Sequence, residues 1–116
     1  MQQRFISAIF SRKIAGISIL LNRENGRPII IDFGSTGCVP CQMMVPVIKD
    51  LTSEYQGKID IQFVDIGEHH QLADRFRVFA IPTQIIFDKH GKEIFRHQGY
   101  LPKTEIDKKL KELGQI

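Results

Sequence analysis

The sequence predicts a single α/β domain whose elements follow the order α-β-α-β-α-β-β-α. Two observations carry this prediction: an apolar strand, a helical segment and a second strand follow one another along the chain, and two strands joined by a short turn come later. With 42% apolar and 25% charged residues, the 116-residue chain has the composition of an ordinary globular protein. No Pro/Gly/Ser-rich linker divides it, so one hydrophobic core is expected.

The first 25 residues are predicted to form an amphipathic helix that packs on the main domain, residues 26–116. Apolar residues recur there at helical spacing: Ile6, Phe10, Ile14, Ile17 and Leu21. An apolar run at 14–21 follows Arg12 and Lys13, but it lacks a small-x-small cleavage pattern and is far shorter than the roughly 20 residues of a membrane span. Packing on the sheet is favoured over a signal peptide, with docking at a membrane surface or on a partner as the alternative.

The first strand and the helix after it form the beginning of a βαβ unit. Residues 29–33 are apolar and mostly β-branched, which is typical of a strand buried on both faces. Residues 40–55 follow a helical period that stops at Gly57, and residues 59–63 then alternate as a strand does. The two strands are therefore expected to lie parallel in one sheet.

The second half of the chain predicts a short helix, a hairpin and a final helix. Residues 69–76 carry the helical pattern, and residues 84–87 and 93–96 flank a turn that contains Gly91. Residues 102–113 begin with a proline and present their apolar residues on one face, which indicates a C-terminal amphipathic helix.

The only two cysteines, Cys38 and Cys41, lie in one C-x-x-C motif between the first strand and the helix. A helix N-terminus has unpaired backbone N–H groups and the positive end of the dipole, so it favours a thiolate at Cys38. The first helical turn brings the second sulfur within bonding range, which lets Cys41 resolve a mixed disulfide formed by Cys38. Pro40 suits this turn because its missing N–H has no helical acceptor there.

Asp32 is the one polar residue in the first strand. A buried carboxylate without a partner is costly, so the pKa of Asp32 is expected to rise. It is then suited to exchange a proton with Cys41 as the disulfide breaks or forms. The alternative is a structural carboxylate that is hydrogen-bonded to the backbone.

The chain resembles the thioredoxin family over about residues 28 to 113. The residues that carry the resemblance, in order, are Asp32-Phe33, Cys38-Val39-Pro40-Cys41, Pro46, Ile81-Pro82-Thr83, Gly91 and Gly99. The resemblance implies the thioredoxin fold, a mixed sheet of four to five strands flanked by helices, and reduction or exchange of protein disulfides. It also implies a cis Pro82 beside the disulfide and the proton-exchange role of Asp32.

The resemblance further suggests how clients and electron donors interact with the chain. The residues expected to contact an extended client segment are Val39, Pro40, Ile81, Pro82 and Gly99. The expected partners are disulfide-containing proteins and a donor like thioredoxin reductase, and the only redox group is the disulfide, with no metal or other cofactor. A monomer in a cytoplasmic compartment is expected; the alternative is a periplasmic or membrane-associated protein, if the N-terminus is a truncated anchor.

Four positions depart from the family pattern. Gly34 and Gly37 stand where aromatic residues are common, and Val39 replaces a frequent glycine. Phe63 falls where the basic partner of the buried acid is expected, so Asp32 is predicted to lack a charged partner and to be protonated more readily.

The leading hypothesis is a general reductant of protein disulfides, and two alternatives remain open. Gly34 and Gly37 motivate an exchange module dedicated to one client in an extracytoplasmic pathway. Because a fold alone does not determine function, the other alternative is a non-catalytic binding module. The net charge of +3 comes from scattered Lys and Arg, without the basic stripe of a nucleic-acid-binding protein. The four histidines lack the spacing of a zinc site.

Overall fold

The computed structural model describes residues 26–116, and the predicted helix within residues 1–25 lies outside this part. Residues 26–116 contain one four-stranded sheet in the order β2-β1-β3-β4. Its strands are β1 (Ile29–Gly34), β2 (Asp60–Asp65), β3 (Thr83–Phe87) and β4 (Glu93–Gln98). β1 runs parallel to β2 and antiparallel to β3, and β4 is antiparallel to β3. The predicted mixed sheet is confirmed, with four strands in this part of the chain.

Three helices flank the sheet within the same residues: α1 (Val39–Glu54), α2 (His70–Arg75) and α3 (Lys103–Glu112). Their bounds differ from the predicted ones by one residue at each end. Pro102 is the N-cap residue of α3 and directly precedes its first helical residue. β4 runs two residues further than predicted because Gln98 pairs with Thr83 at the start of β3. None of these helices is long and apolar enough to span a membrane.

The core lies on both faces of the sheet, as the apolar sequence of β1 predicts. Alternate residues of β1 point to opposite faces. The buried residues on the α2 face are Ile29, Ile31, Phe33, Val64, Leu72, Ala73, Ile85 and Phe87. Those on the face covered by α1 and α3 include Ile30, Met44, Ile48, Leu51, Ile86, Ile106 and Leu110. Because Asp32 is two residues from Ile30, its side chain belongs to the α1 face.

A polar cluster joins α1 to α3 at the edge of this second face. The hydroxyl of Tyr55, the residue after α1, donates to Asp107 of α3. Lys103 pairs with Asp107 at 2.7 Å and with Glu54. This cluster fixes α3 against the helix that begins at the cysteines.

Candidate active site

The two cysteines form a disulfide at the first turn of α1, with their Cα atoms 5.1 Å apart. Cys38 is the N-cap residue in an extended conformation, and its Sγ accepts a hydrogen bond from the Cys41 N–H at 3.2 Å. Its carbonyl accepts from the N–H of Gln42 at 3.0 Å. Pro40 lies in this first turn, as predicted. The sequence therefore places both sulfurs where the positive end of the helix dipole is strongest.

The two sulfur-bearing residues differ in their exposure to solvent. Cys38 is half-buried, whereas Cys41 is only 3% exposed. Val39 and Pro40 between them are exposed. An external disulfide can therefore approach Cys38 more easily than Cys41.

The other predicted client-contact residues are Ile81, Pro82 and Gly99. The segment before β3 and the loop after β4 bring them together. The Ile81–Pro82 peptide bond is cis. Gly99 donates its N–H to the Pro82 carbonyl at 2.7 Å, and its positive φ of 99° is a conformation that glycine adopts easily. Two residues later, the N–H of Leu101 contacts the Met44 sulfur at 3.4 Å. The segment that begins at Gly99 is thus held against α1, one turn beyond Cys41.

Asp32 is fully buried on β1, and its carboxyl group has one side-chain hydrogen bond. Gln84 donates its Nε2–H to Asp32 Oδ1 at 3.1 Å. Burial raises the pKa of Asp32 from 3.8 to about 7, against a smaller lowering by this hydrogen bond. Asp32 Oδ2 is buried without a hydrogen-bond partner among residues 26–116.

The structure shows what surrounds Phe63, the residue that replaces the basic partner expected from the family. Phe63 lies opposite Asp32 in the register of β1 and β2, so this position presents a ring where a cationic side chain was expected in the family. A Cβ on Gly34 would lie 3.1 Å from the Phe63 ring and 3.2 Å from Cys41 Sγ. The missing side chain at Gly34 therefore leaves room for the ring and for the sulfur.

Asp32 lies on the same face of β1 as Gly34, the position that approaches Cys41. Asp32 and Gly34 share one face of β1 and are about 7 Å apart along the strand. Because the Cβ position of Gly34 is 3.2 Å from Cys41 Sγ, the carboxyl group and this sulfur occupy the same buried region between β1 and α1.

Gln84 was not predicted as a site residue. This residue is only 1% exposed and lies opposite Asp32 in the register of β1 and β3. A signal for it was present, because Gln84 begins an otherwise apolar segment and a buried polar side chain requires a partner. Two buried polar residues on neighbouring strands are natural partners, but the register that pairs them was not known.

The histidines do not assemble a metal site in the described part of the chain. Among residues 26–116, no group of three or more His, Cys, Asp or Glu side chains is placed to hold a metal ion.

The structure has a disulfide-bonded cysteine pair at a helix N-terminus, with one accessible and one buried sulfur, on a four-stranded mixed sheet. These features define the class of thiol–disulfide oxidoreductases. The sequence profile of the family described as Thioredoxin-like domain matches residues 18–114. The chain belongs to this family, which confirms the resemblance found in the sequence.

Individual relatives agree with this assignment. The chain is 33% identical over 96 residues to thioredoxin Y, chloroplastic, of Oryza sativa subsp. japonica; the match covers 83% of this chain and 56% of that protein. It is 38% identical over 77 residues to a thioredoxin of Staphylococcus aureus, covering 66% of this chain and 73% of the relative. The chain thus spans little more than half of the rice relative.

A solved structure supports the fold. The crystal structure of a chloroplastic thioredoxin z superposes with a TM-score of 0.76 at 24% identity, covering 86% of this chain and 88% of that one.

Proposed function

We propose that this chain reduces or exchanges disulfides in client proteins through a dithiol–disulfide cycle of Cys38 and Cys41. The observation that carries the proposal is the disulfide at the N-terminus of α1, with Cys38 half-buried and Cys41 at 3% exposure. This asymmetry supports an attacking role for Cys38 and a resolving role for Cys41.

The reaction begins with the reduced dithiol. The Cys38 thiolate attacks one sulfur of the client disulfide, forming a Cys38–client disulfide and releasing the other client sulfur as a thiolate. Cys41, as its thiolate, then attacks Cys38 Sγ, which forms the Cys38–Cys41 disulfide and releases the second client thiolate. Two electrons have passed from the chain to the client, and the oxidised form is the one in the structure.

The helix terminus supports the first step. In the dithiol form the Cys41 N–H, now 3.2 Å from Cys38 Sγ, is a donor for a sulfur anion. This hydrogen bond and the helix dipole favour the charged form of Cys38, so a larger fraction of the thiol is nucleophilic at neutral pH.

Asp32 serves the second step as the proton acceptor for Cys41, and as the proton donor in the reverse reaction. The buried Cys41 thiol has little access to water. A carboxyl group with a pKa of about 7 is present in both protonation states near neutral pH, which is the condition for an efficient general acid and base. Their common location between β1 and α1 supports proton transfer through an intervening water molecule.

The client is held as an extended segment beside the disulfide. Among residues 26–116, neither the N–H nor the C=O of Ile81 forms a backbone hydrogen bond, so both are available for strand-like pairing with a client. In this proposal the client also contacts Pro82 and Gly99, which are joined by a hydrogen bond of 2.7 Å, and the exposed Val39 and Pro40. Backbone pairing of this kind recognises many sequences.

The remaining partner assignments rest on the family. A reductase like thioredoxin reductase returns two electrons and two protons to the disulfide, which is the only redox group. The chain acts as a monomer in a cytoplasmic, reducing compartment.

The test is reduction of insulin by dithiothreitol, followed by turbidity. The wild-type chain is expected to accelerate precipitation, and Cys38→Ser is expected to match the reaction without protein. Cys41→Ser is expected to accumulate a client disulfide at Cys38, visible by mass spectrometry and removed by excess reductant. Equal rates for wild type and Cys38→Ser would refute the proposal.

The second candidate is an exchange module dedicated to one client. Two observations favour it: Gly34 and Gly37 occupy positions where the family commonly has aromatic residues, and Phe79, two residues before Ile81, is 82% exposed. Equilibration against glutathione separates the two. A reduction potential near that of thioredoxins supports the general reductant, and a much more oxidising one supports disulfide formation in a specific client.

A further inference from the structure

Gln84 forms two hydrogen bonds through one nitrogen atom. Its Nε2 donates to Asp32 Oδ1 at 3.1 Å and to the Gly99 carbonyl at 3.1 Å. A side-chain amide has two N–H groups, so both are used. The amide therefore connects the carboxyl group on β1 with the loop that follows β4.

We infer that Gln84 is a positioning residue of this site: its single amide holds the Asp32 carboxylate and the Gly99 carbonyl together, so that ionisation of Asp32 is coupled to the client-binding loop. The inference rests on the proposed function, because it assigns Asp32 to the proton transfer and Gly99 to the client groove.

The electrostatic part of the coupling follows from the neighbours of Asp32. β2 presents Phe63 and β3 presents the neutral Gln84. α1 contributes Cys41, whose sulfur lies 3.2 Å from the Cβ position of Gly34 and carries no charge in the disulfide. The amide of Gln84 is thus the main group opposing the effect of burial, because a hydrogen bond donated to a carboxylate stabilises the charged form. Without it, Asp32 binds its proton more tightly.

The mechanical part follows from how Gly99 is held. Its N–H is bound to Pro82 and its C=O to Gln84, so the amide is one of two hydrogen bonds that fix this glycine. The amide oxygen of Gln84 is buried with no partner among residues 26–116. When Asp32 gains a proton, its O–H is a new donor for that oxygen, and turning the amide to accept it withdraws the N–H from Gly99.

The first test follows the NMR chemical shift of the Asp32 carboxyl carbon as a function of pH in the oxidised protein. Gln84→Met keeps the side-chain volume and removes the donor. It is expected to raise the midpoint by about one pH unit or more, a tenfold gain in proton affinity. Gln62→Met is the matched control, because Gln62 is also buried but lies opposite Ile31, on the other face of the sheet. An unchanged midpoint in Gln84→Met, or an equal change in Gln62→Met, overturns the inference.

A second measurement needs no change at Gln84. The amide nitrogen of Tyr100 shares a peptide bond with the Gly99 carbonyl, so its chemical shift reports on that carbonyl. His97, the titratable residue opposite Gln84 on β4, also contacts the Tyr100 carbonyl at 3.2 Å. The wild-type Tyr100 shift is expected to follow the Asp32 midpoint, and Asp32→Asn, which retains His97, is expected to abolish that titration. Its persistence in Asp32→Asn overturns the coupling.

The chemical readout is the release of an aromatic thiol from its mixed disulfide with Cys38, which reports the attack by Cys41. The pH midpoint of this release is expected to move upward in Gln84→Met by the amount found by NMR, and Gln84→Met is expected to have no further effect in an Asp32→Asn background. An equal effect in both backgrounds overturns the inference. If the wild type releases no thiol, the proposed function fails, while the NMR titrations still decide the coupling.

Discussion

Replacing Asp32 with asparagine is expected to stabilise the oxidised protein at high pH. The carboxyl group has a pKa of 3.8 outside the fold and about 7 inside it, so the folded state binds its proton more tightly. Between these two values the free energy of unfolding falls as pH rises, and above pH 7 the loss is complete. Because a tenfold change in proton affinity corresponds to about 1.4 kcal/mol, the full loss is about 4 kcal/mol.

The asparagine variant removes this loss and little else. Its side-chain oxygen still accepts from Gln84, and its volume is nearly unchanged. Urea unfolding followed by far-ultraviolet circular dichroism gives the free energy of unfolding at a series of pH values. At pH 8.5 we expect Asp32→Asn to exceed the wild type by about 2 to 4 kcal/mol, and near pH 4 we expect the difference almost to vanish.

The matched control is Asp50→Asn, which removes the same charge from an exposed position on α1. Other carboxyl groups that titrate between pH 4 and 8.5 are common to all three proteins, so only the difference from wild type is compared. A difference between Asp32→Asn and wild type that is independent of pH, or that equals the Asp50→Asn difference, would refute the reasoning.

Three further substitutions test the packing around the site, each by urea unfolding at pH 7. Gly34→Ala is expected to cost about 1 to 3 kcal/mol, because its Cβ would lie 3.2 Å from Cys41 Sγ; no loss would mean that the pocket is looser than described. Tyr55→Phe removes the hydrogen bond to Asp107 and is expected to cost about 1 kcal/mol, and an unchanged stability would show that this bond contributes nothing. Ile106→Ala is expected to cost about 2 to 5 kcal/mol because Ile106 is 1% exposed, and a loss under 1 kcal/mol would contradict its place in the core.

Much of the fold could be predicted because local signals coincide with element ends. The apolar, β-branched sequence of residues 29–33 predicted a strand buried on both faces, and β1 carries apolar clusters on each side. Gly57 lies three residues after the end of α1, close to where the helical period was expected to stop. The end of β4 was missed because His97 and Gln98 show no apolar alternation; they belong to the strand through their pairing with β3.

Only those parts of the site that depend on local sequence spacing could be predicted. The positions of both cysteines and of Pro40 at the helix start follow from spacing. The bond between Asp32 and Gln84 joins residues 52 positions apart, and it depends on the register of two antiparallel strands. The sequence marked Asp32 as a polar residue that needs a partner, but only the register identified Gln84 as that partner.

The position of β1 inside the sheet determines which side chains of residues 26–116 surround the buried acid. A central strand has two neighbours, and the side chains opposite Asp32 are Phe63 on β2 and Gln84 on β3. A cation on β2 would hold Asp32 ionised at neutral pH, which suits proton acceptance in one direction of the cycle. A neutral amide lowers the pKa only in part and leaves it at about 7, where both forms are populated. In the proposed mechanism, the same carboxyl group therefore accepts a proton from Cys41 during reduction of a client and returns it when the disulfide is reopened.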